Sequence, residues 1–204
     1  MSGGADARAG FGEDAGMPTP RFEDHREHCD RVREAVLEAV RPERALREHW
    51  PADLPERVFL IAVGKAAHTM LPVGVELLGE RLAGGIAVVL PEAAEVAAQV
   101  SDRVEVCPGA HPLPDERNLR AAEALEAFCD GLPGGAGVVV LLSGGGSAML
   151  TAPAEGVSLE DVRRVTEALN AGGADIAQLN AVRKHIDRLK GGRLARRIAA
   201  RVGR

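Results

Sequence analysis

The chain has 204 residues, 46% of them hydrophobic but only 2% aromatic, so its core must be built from Ala, Val, Leu and Ile, and stacking on single-stranded nucleic acid is disfavoured. Its three cysteines, Cys29, Cys107 and Cys129, lie far apart without a CxxC pair, which argues against a disulfide framework or a zinc ribbon and for a reducing compartment. The formal net charge is −5, yet from Arg183 onward the basic residues crowd together and Asp187 is the single acid; such a run is most often a solvated helix face, and otherwise a surface for a phosphorylated ligand or nucleic acid.

Residues 1–22 are rich in Gly, Ala and Pro and lack apolar periodicity, so a disordered tail is expected there, with one α/β domain over residues 23–204. Val32, Val36, Ala39 and Val40 fall on one side of a predicted helix that stops near Pro42. "RVFLIAVGKAAHTML" predicts a strand at Val58–Val63, a tight turn at Gly64 and a helix opening at Lys65. Strands follow at "GIAVVL" and "RVEVC". The loop "AHPLPDERNL" leads into a helix with Leu119, Ala122, Leu125 and Phe128 along one side. "VVVLLSGGGSAML" reads as a strand buried on both faces that runs into a glycine loop. Ser158, with Asp161 three residues on, caps the helix that comes next. The last stretch, "IAQLNAVRKHIDRLKGGRLARRIAARV", is read as helical, with Leu179, Val182, Ile186 and Leu189 on one face and Asn180, Arg183, Asp187 and Lys190 on the neighbouring one. Alternating strands and helices predict a layered, Rossmann-like α/β fold with a mostly parallel sheet flanked by helices. No segment approaches the length of a membrane span and no signal pattern opens the chain, so a cytoplasmic protein without membrane or nucleic-acid partners is expected.

Two constellations carry chemistry. In parallel sheets, ligands sit beyond the carboxyl ends of the strands, and there the chain places Ser143, Gly144, Gly145, Gly146 and Ser147. Glycines let backbone N–H groups approach a ligand closely, and an anion cradle explains this loop better than a turn does. A lysine at a helix start opposes the helix dipole unless an anion sits there, which marks Lys65. The second constellation is the polar stripe of Asn180, Arg183 and Lys190, with Lys184 at its edge, ending in Gly191-Gly192. It suits a carboxylate or a phosphate, while Arg183 and Asp187 alone would be an ordinary i, i+4 salt bridge. His111, in a rigid loop, is read first as a structural hydrogen-bonding residue and second as a base or ligand. No metal-ligand spacing, GxSxG elbow, Walker A motif or GxGxxG fingerprint is present.

Taken together, "VGKAA", "HPLPDE", "LLSGGGSAML" and "LNAVRKHIDRLKGGRLA" resemble, in this order, the N-terminal domain of the glycerate 2-kinase family, some members of which are labelled hydroxypyruvate reductases. The resemblance covers about residues 30–200. It implies ATP-dependent phosphorylation of D-glycerate at its 2-hydroxyl, with ATP and Mg2+ as cofactors and a cleft between two domains. It also implies that Lys65 is an active-site residue and that Ser143–Ser147, Arg183, Lys184 and Lys190 face that cleft. Family chains continue into an acidic segment and a second domain, so this chain is expected to carry only part of the active site and to depend on that domain or on self-association. The alternative readings are a non-catalytic anion-binding module and, less well matched, an oxidoreductase.

Overall fold

A computed structural model describes residues 22–203; the expected tail, apart from its last residue Phe22, lies outside the described residues, as does Arg204. The chain divides after Arg41 into two compact units. The described part of the first is a single helix, α1 (Phe22–Ala39), on which Val32, Val36 and Leu37 are exposed. It ends where the sequence predicts, short of Pro42. That proline does more than terminate: it is the first residue of α2 (Pro42–Glu48), the position at which its missing N–H costs nothing.

The second unit runs in chain order through α2, β1 (Val58–Val63), α3 (Ala67–Leu78), β2 (Leu82–Val89), α4 (Ala94–Ala98), β3 (Val104–Pro108), α5 (Glu116–Asp130), β4 (Gly137–Leu142), the one-turn α6 (Gly146–Met149), α7 (Leu159–Ala171), α8 (Ile176–Arg183) and α9 (Arg193–Val202). The four strands pair in the order β3-β2-β1-β4, and every pair is parallel. This is the expected α/β fold. Alternation along β1 splits its side chains between two cores. Val58, Leu60 and Ala62 pack with Ala67, Met70 and Leu71 of α3, while Ile61 and Val63 pack with Ala122 and Leu125 of α5 and Ile198 and Val202 of α9. Burying each large aliphatic side chain contributes about 1.5–3 kcal/mol, which is how a core with few aromatics suffices. Helix starts are fixed locally: Asp115, Ser158 and Asp175 each close a capping box, with Asn118, Asp161 and Gln178 respectively.

Two expectations fail. The run Val138–Leu142 is not buried on both faces: Val139 and Leu141 pack in the core with α3, but on the other face Val140 and Leu142, which border an open trough, are 43% and 68% exposed. The doubly buried runs lie in the two inner strands, at residues 60–63 of β1 and 86–89 of β2. The helix through Lys190 is also broken. α8 stops at Arg183, and residues 184–192 form turns before α9 begins. The cause is Asp187, almost wholly buried, whose carboxylate accepts hydrogen bonds from the backbone N–H groups of Ala152 (3.0 Å), Leu189 (2.9 Å) and Lys190 (3.1 Å) and from Lys190 Nζ. Arg188 N donates to Ala152 O and Ala154 N to Ile186 O, so bonds to the 152–154 segment replace those a continued helix would make. Asp187 therefore pairs with Lys190, not with Arg183. Much of the basic C-terminal run is occupied too: Arg188 and Arg197 bond Glu126, and Arg197 and Arg201 meet Asp130.

Candidate functional site

The strand order locates the crevice. From β1 the chain moves outward through β2 to β3, and β4 then returns to the other side of β1. The loops that follow β1 and β4 leave the sheet in opposite directions, and a doubly wound sheet binds ligands at that switch point. These are the loops that carry Lys65 and Ser143–Ser147.

The two loops are zipped together. Ser143 N donates to Val63 O (3.0 Å), Lys65 N to Gly144 O (2.9 Å), and Ala66 N to Ser143 Oγ (3.0 Å). Gly64, at φ +118°, has to be glycine because a Cβ there would stand 2.6 Å from Ser143 O. Ser143 is thus a strap between loops, its hydroxyl already engaged, and not the open donor that the sequence suggests. Helix α3 begins at Ala67, two residues later than expected, and Lys65 sits in the turn before it.

What the zipper leaves unused defines the site. Among the described residues the N–H groups of Gly144, Gly145 and Ser147, the Ser147 hydroxyl and the Lys65 ammonium make no hydrogen bond or ion pair. The Lys65 stem lies across the loop: its Cγ is 2.9 Å from where a Cβ on Gly145 would stand, and its Cε is 4.0 Å from the same position on Gly144. Gly145 is held at φ +90°, in the left-handed region. A third loop arrives from between β3 and α5 and brings His111 over Gly145. The sequence offered no reason to join them. The link is Asn118, fully buried, whose amide donates to Ala110 O (2.9 Å), Ala148 O (2.8 Å) and Met149 O (3.2 Å) while its oxygen accepts from Ala110 N (3.1 Å) and Asp115 N (2.9 Å). One side chain thereby ties the His111 loop to the helix that follows the glycines.

The second constellation assembles beside the first. An open trough of about 550 Å³ runs along the outer side of β4 and is floored by Val140, Leu142, Leu150, Leu194 and Ile198. Gly146, Ser147, Asn180, Arg183, Lys184 and Lys190 line its polar side, with Gly146 and Ser147 shared with the glycine loop. Lys65 does not line it. Arg183 has no carboxylate partner among the described residues, and partial burial holds its guanidinium below its ordinary value. Lys190 is different: its Nζ donates to Leu150 O (2.7 Å) and to Asp187, and burial pushes its ammonium down from the ordinary value against the pull of that carboxylate. It is mainly a tether. Lys184 and Asn180 are exposed at the rim.

The unpaired N–H groups and the Lys65 ammonium of the loops, and the Arg183 guanidinium of the neighbouring trough, are groups able to pair with the oxygens of an anion such as a phosphate chain. The residues do not fit a divalent cation. No three His, Cys, Asp or Glu side chains cluster among the described residues, and Asp187, the acid beside the trough, is consumed by Lys190 and backbone N–H groups. No described helix is long and apolar enough to cross a membrane.

Residues 28–203 match a protein-family model described as a domain of unknown function, DUF4147. The chain is 40% identical over 162 residues to a D-glycerate 2-kinase of Thermotoga maritima, covering 79% of this chain and 38% of that protein. It is 36% identical over 166 residues to an Agrobacterium vitis protein provisionally named a hydroxypyruvate reductase, covering 81% of this chain and 37% of that one. The crystal structure of the Thermotoga maritima glycerate kinase superposes with a TM-score of 0.77 at 38% identity, covering 86% of this chain and 42% of that one. The chain thus spans about two fifths of the length of these relatives.

Proposed function

The chain belongs to the DUF4147 family, and from that premise we propose that it supplies the phosphate-holding part of a glycerate 2-kinase site, at which ATP phosphorylates the 2-hydroxyl of D-glycerate. The observation that carries the reading is the set of unpaired N–H groups of Gly144, Gly145 and Ser147 beneath the Lys65 side chain at the switch point of the sheet. Phosphoryl transfer asks little covalent chemistry of a protein and much positioning and charge neutralisation. The N–H groups and the Ser147 hydroxyl would hold the phosphate oxygens, and Lys65 would balance their charge. Arg183, with its planar fork and no carboxylate of its own, suits the carboxylate of a small hydroxy acid, and Asn180 and Lys184 flank it at the rim. Ser143 and Lys190 act one step back, as strap and tether.

The names borne by relatives favour a kinase, and the absence of a GxGxxG turn in the sequence weighs against a nicotinamide-dependent reductase. Calorimetric titration of the chain with ATP and with NADH separates the two. Saturable ATP binding that is lost in Lys65→Met, with no NADH binding, is the expected result. NADH binding that survives Lys65→Met would overturn the kinase reading.

A further inference from the structure

The His111 ring occupies a position that its loop does not require for its own structure. It is exposed and makes no hydrogen bond among the described residues, so the structural role that the sequence favours is not the one it plays. The backbone beside it is nevertheless rigidly held. Asn118 grips both the N–H and the carbonyl of Ala110, the preceding residue, and the same amide grips Ala148 and Met149 in the turn after the glycine loop. The spacing between ring and loop is therefore set by one buried side chain. A fixed backbone that presents a free ring is the arrangement of a preorganised contact, because the ordering entropy is spent before a ligand arrives.

The ring also stands where the unused donors are. Its Cδ2 and Nε2 lie 3.1 and 3.4 Å from the position of a Cβ on Gly145, and the Lys65 stem reaches the same point at 2.9 Å. Two nitrogen-bearing side chains, from the β1 and β3 loops, thus converge on the Cβ side of Gly145, the residue whose own N–H is unpaired. We infer that His111 is a ligand-contacting residue of this site, donating a ring N–H to an anionic oxygen of the phosphate group cradled by Gly144, Gly145 and Ser147. The inference rests on the proposed reading of that loop as a phosphate cradle. It adds a third loop to the site and makes Asn118 the positioning residue that couples that loop to the cradle.

The test uses the chain itself with inorganic pyrophosphate as the probe. Binding is measured by calorimetry for the wild type, His111→Asn and Lys65→Met, with a thermal melt of each and imidazole carbon–proton spectra of the wild type. A lost hydrogen bond to a charged ligand should weaken binding by about tenfold or more in His111→Asn, with the melt unchanged. The ring signals absent from the His111→Asn spectrum should be the ones that move in the wild type, saturating with the calorimetric affinity. If Lys65→Met weakens binding while His111→Asn does not, the role of His111 is overturned and the cradle stands. If the wild type does not bind pyrophosphate at all, both fall. A His111→Asn chain that loses its cooperative melt would assign the ring to folding and also overturn the inference.

Discussion

The carboxylate of Asp187 and the backbone of the Ser143–Ser147 loop are two polar features of the α/β unit, and they are treated in opposite ways. Around Asp187 both carboxylate oxygens are taken by N–H donors and by the Lys190 ammonium, and the group is buried. Around Gly145 donors are gathered that have no acceptor among the described residues, and the loop is partly exposed. Satisfaction separates the roles. A buried polar group survives only if it is paired, so the first region holds the fold together, whereas unpaired donors at a surface crevice cost little until a ligand supplies their acceptor.

The comparison breaks most easily at its buried end. Asp187→Ala strands the Lys190 ammonium and three N–H groups, and should cost about 3–5 kcal/mol, read as a large fall in melting temperature. Asn118→Ala should follow at about 2 kcal/mol or more, since it leaves buried partners in two segments unpaired. It should also weaken anion binding, which Asp187→Ala need not do in whatever fraction stays folded. Gly145→Ala meets Lys65 Cγ at 2.9 Å in a left-handed conformation, so about 1–2 kcal/mol of strain is expected and its effect on binding is not separable from folding. Gly144 is the cleaner probe. The nearest atom to an added Cβ is Lys65 Cε at 4.0 Å, so Gly144→Ala should leave the melt within about 0.5 kcal/mol of wild type while lowering affinity for pyrophosphate in a calorimetric titration.

Acid should also weaken the fold through other paired carboxylates. Hydrogen bonds from Arg117, Arg197 and the Ser158 hydroxyl hold the carboxyls of Asp115, Asp130 and Asp161 below their ordinary value of 3.8. Their contribution is present above that value and is lost as the pH falls through the lower folded values, because the unfolded chain then binds more protons. Helix content followed by circular dichroism should hold steady down to about pH 4 and decline below it.

Features fixed by neighbours in sequence are legible without the structure. The strand Val58–Val63 appears with the expected bounds, and Ser158 and Asp161 form the expected capping box. Features fixed by distant partners are not. The break in the helix after Arg183 comes from Ala152, 35 residues from Asp187, and the coupling of the His111 loop to the glycines comes from Asn118 reaching Ala148, 30 residues away. The run Val138–Leu142 announces hydrophobic side chains but not whether both faces are covered, which is why a strand with one open face reads like a doubly buried one. In the site, Lys65 and the glycines stand out because their residue types are costly where they are. His111 does not, because a loop histidine next to proline carries no such signal until the Asn118 bonds are seen.

The most direct test of the account is an amide proton–nitrogen spectrum of the chain titrated with ATP. The N–H signals of Gly144, Gly145 and Ser147 should move together and saturate at one affinity, while those of Leu189 and Lys190, already bonded to Asp187, stay in place. Shifts centred on the Leu189 and Lys190 signals, with the glycine loop unmoved, would contradict it.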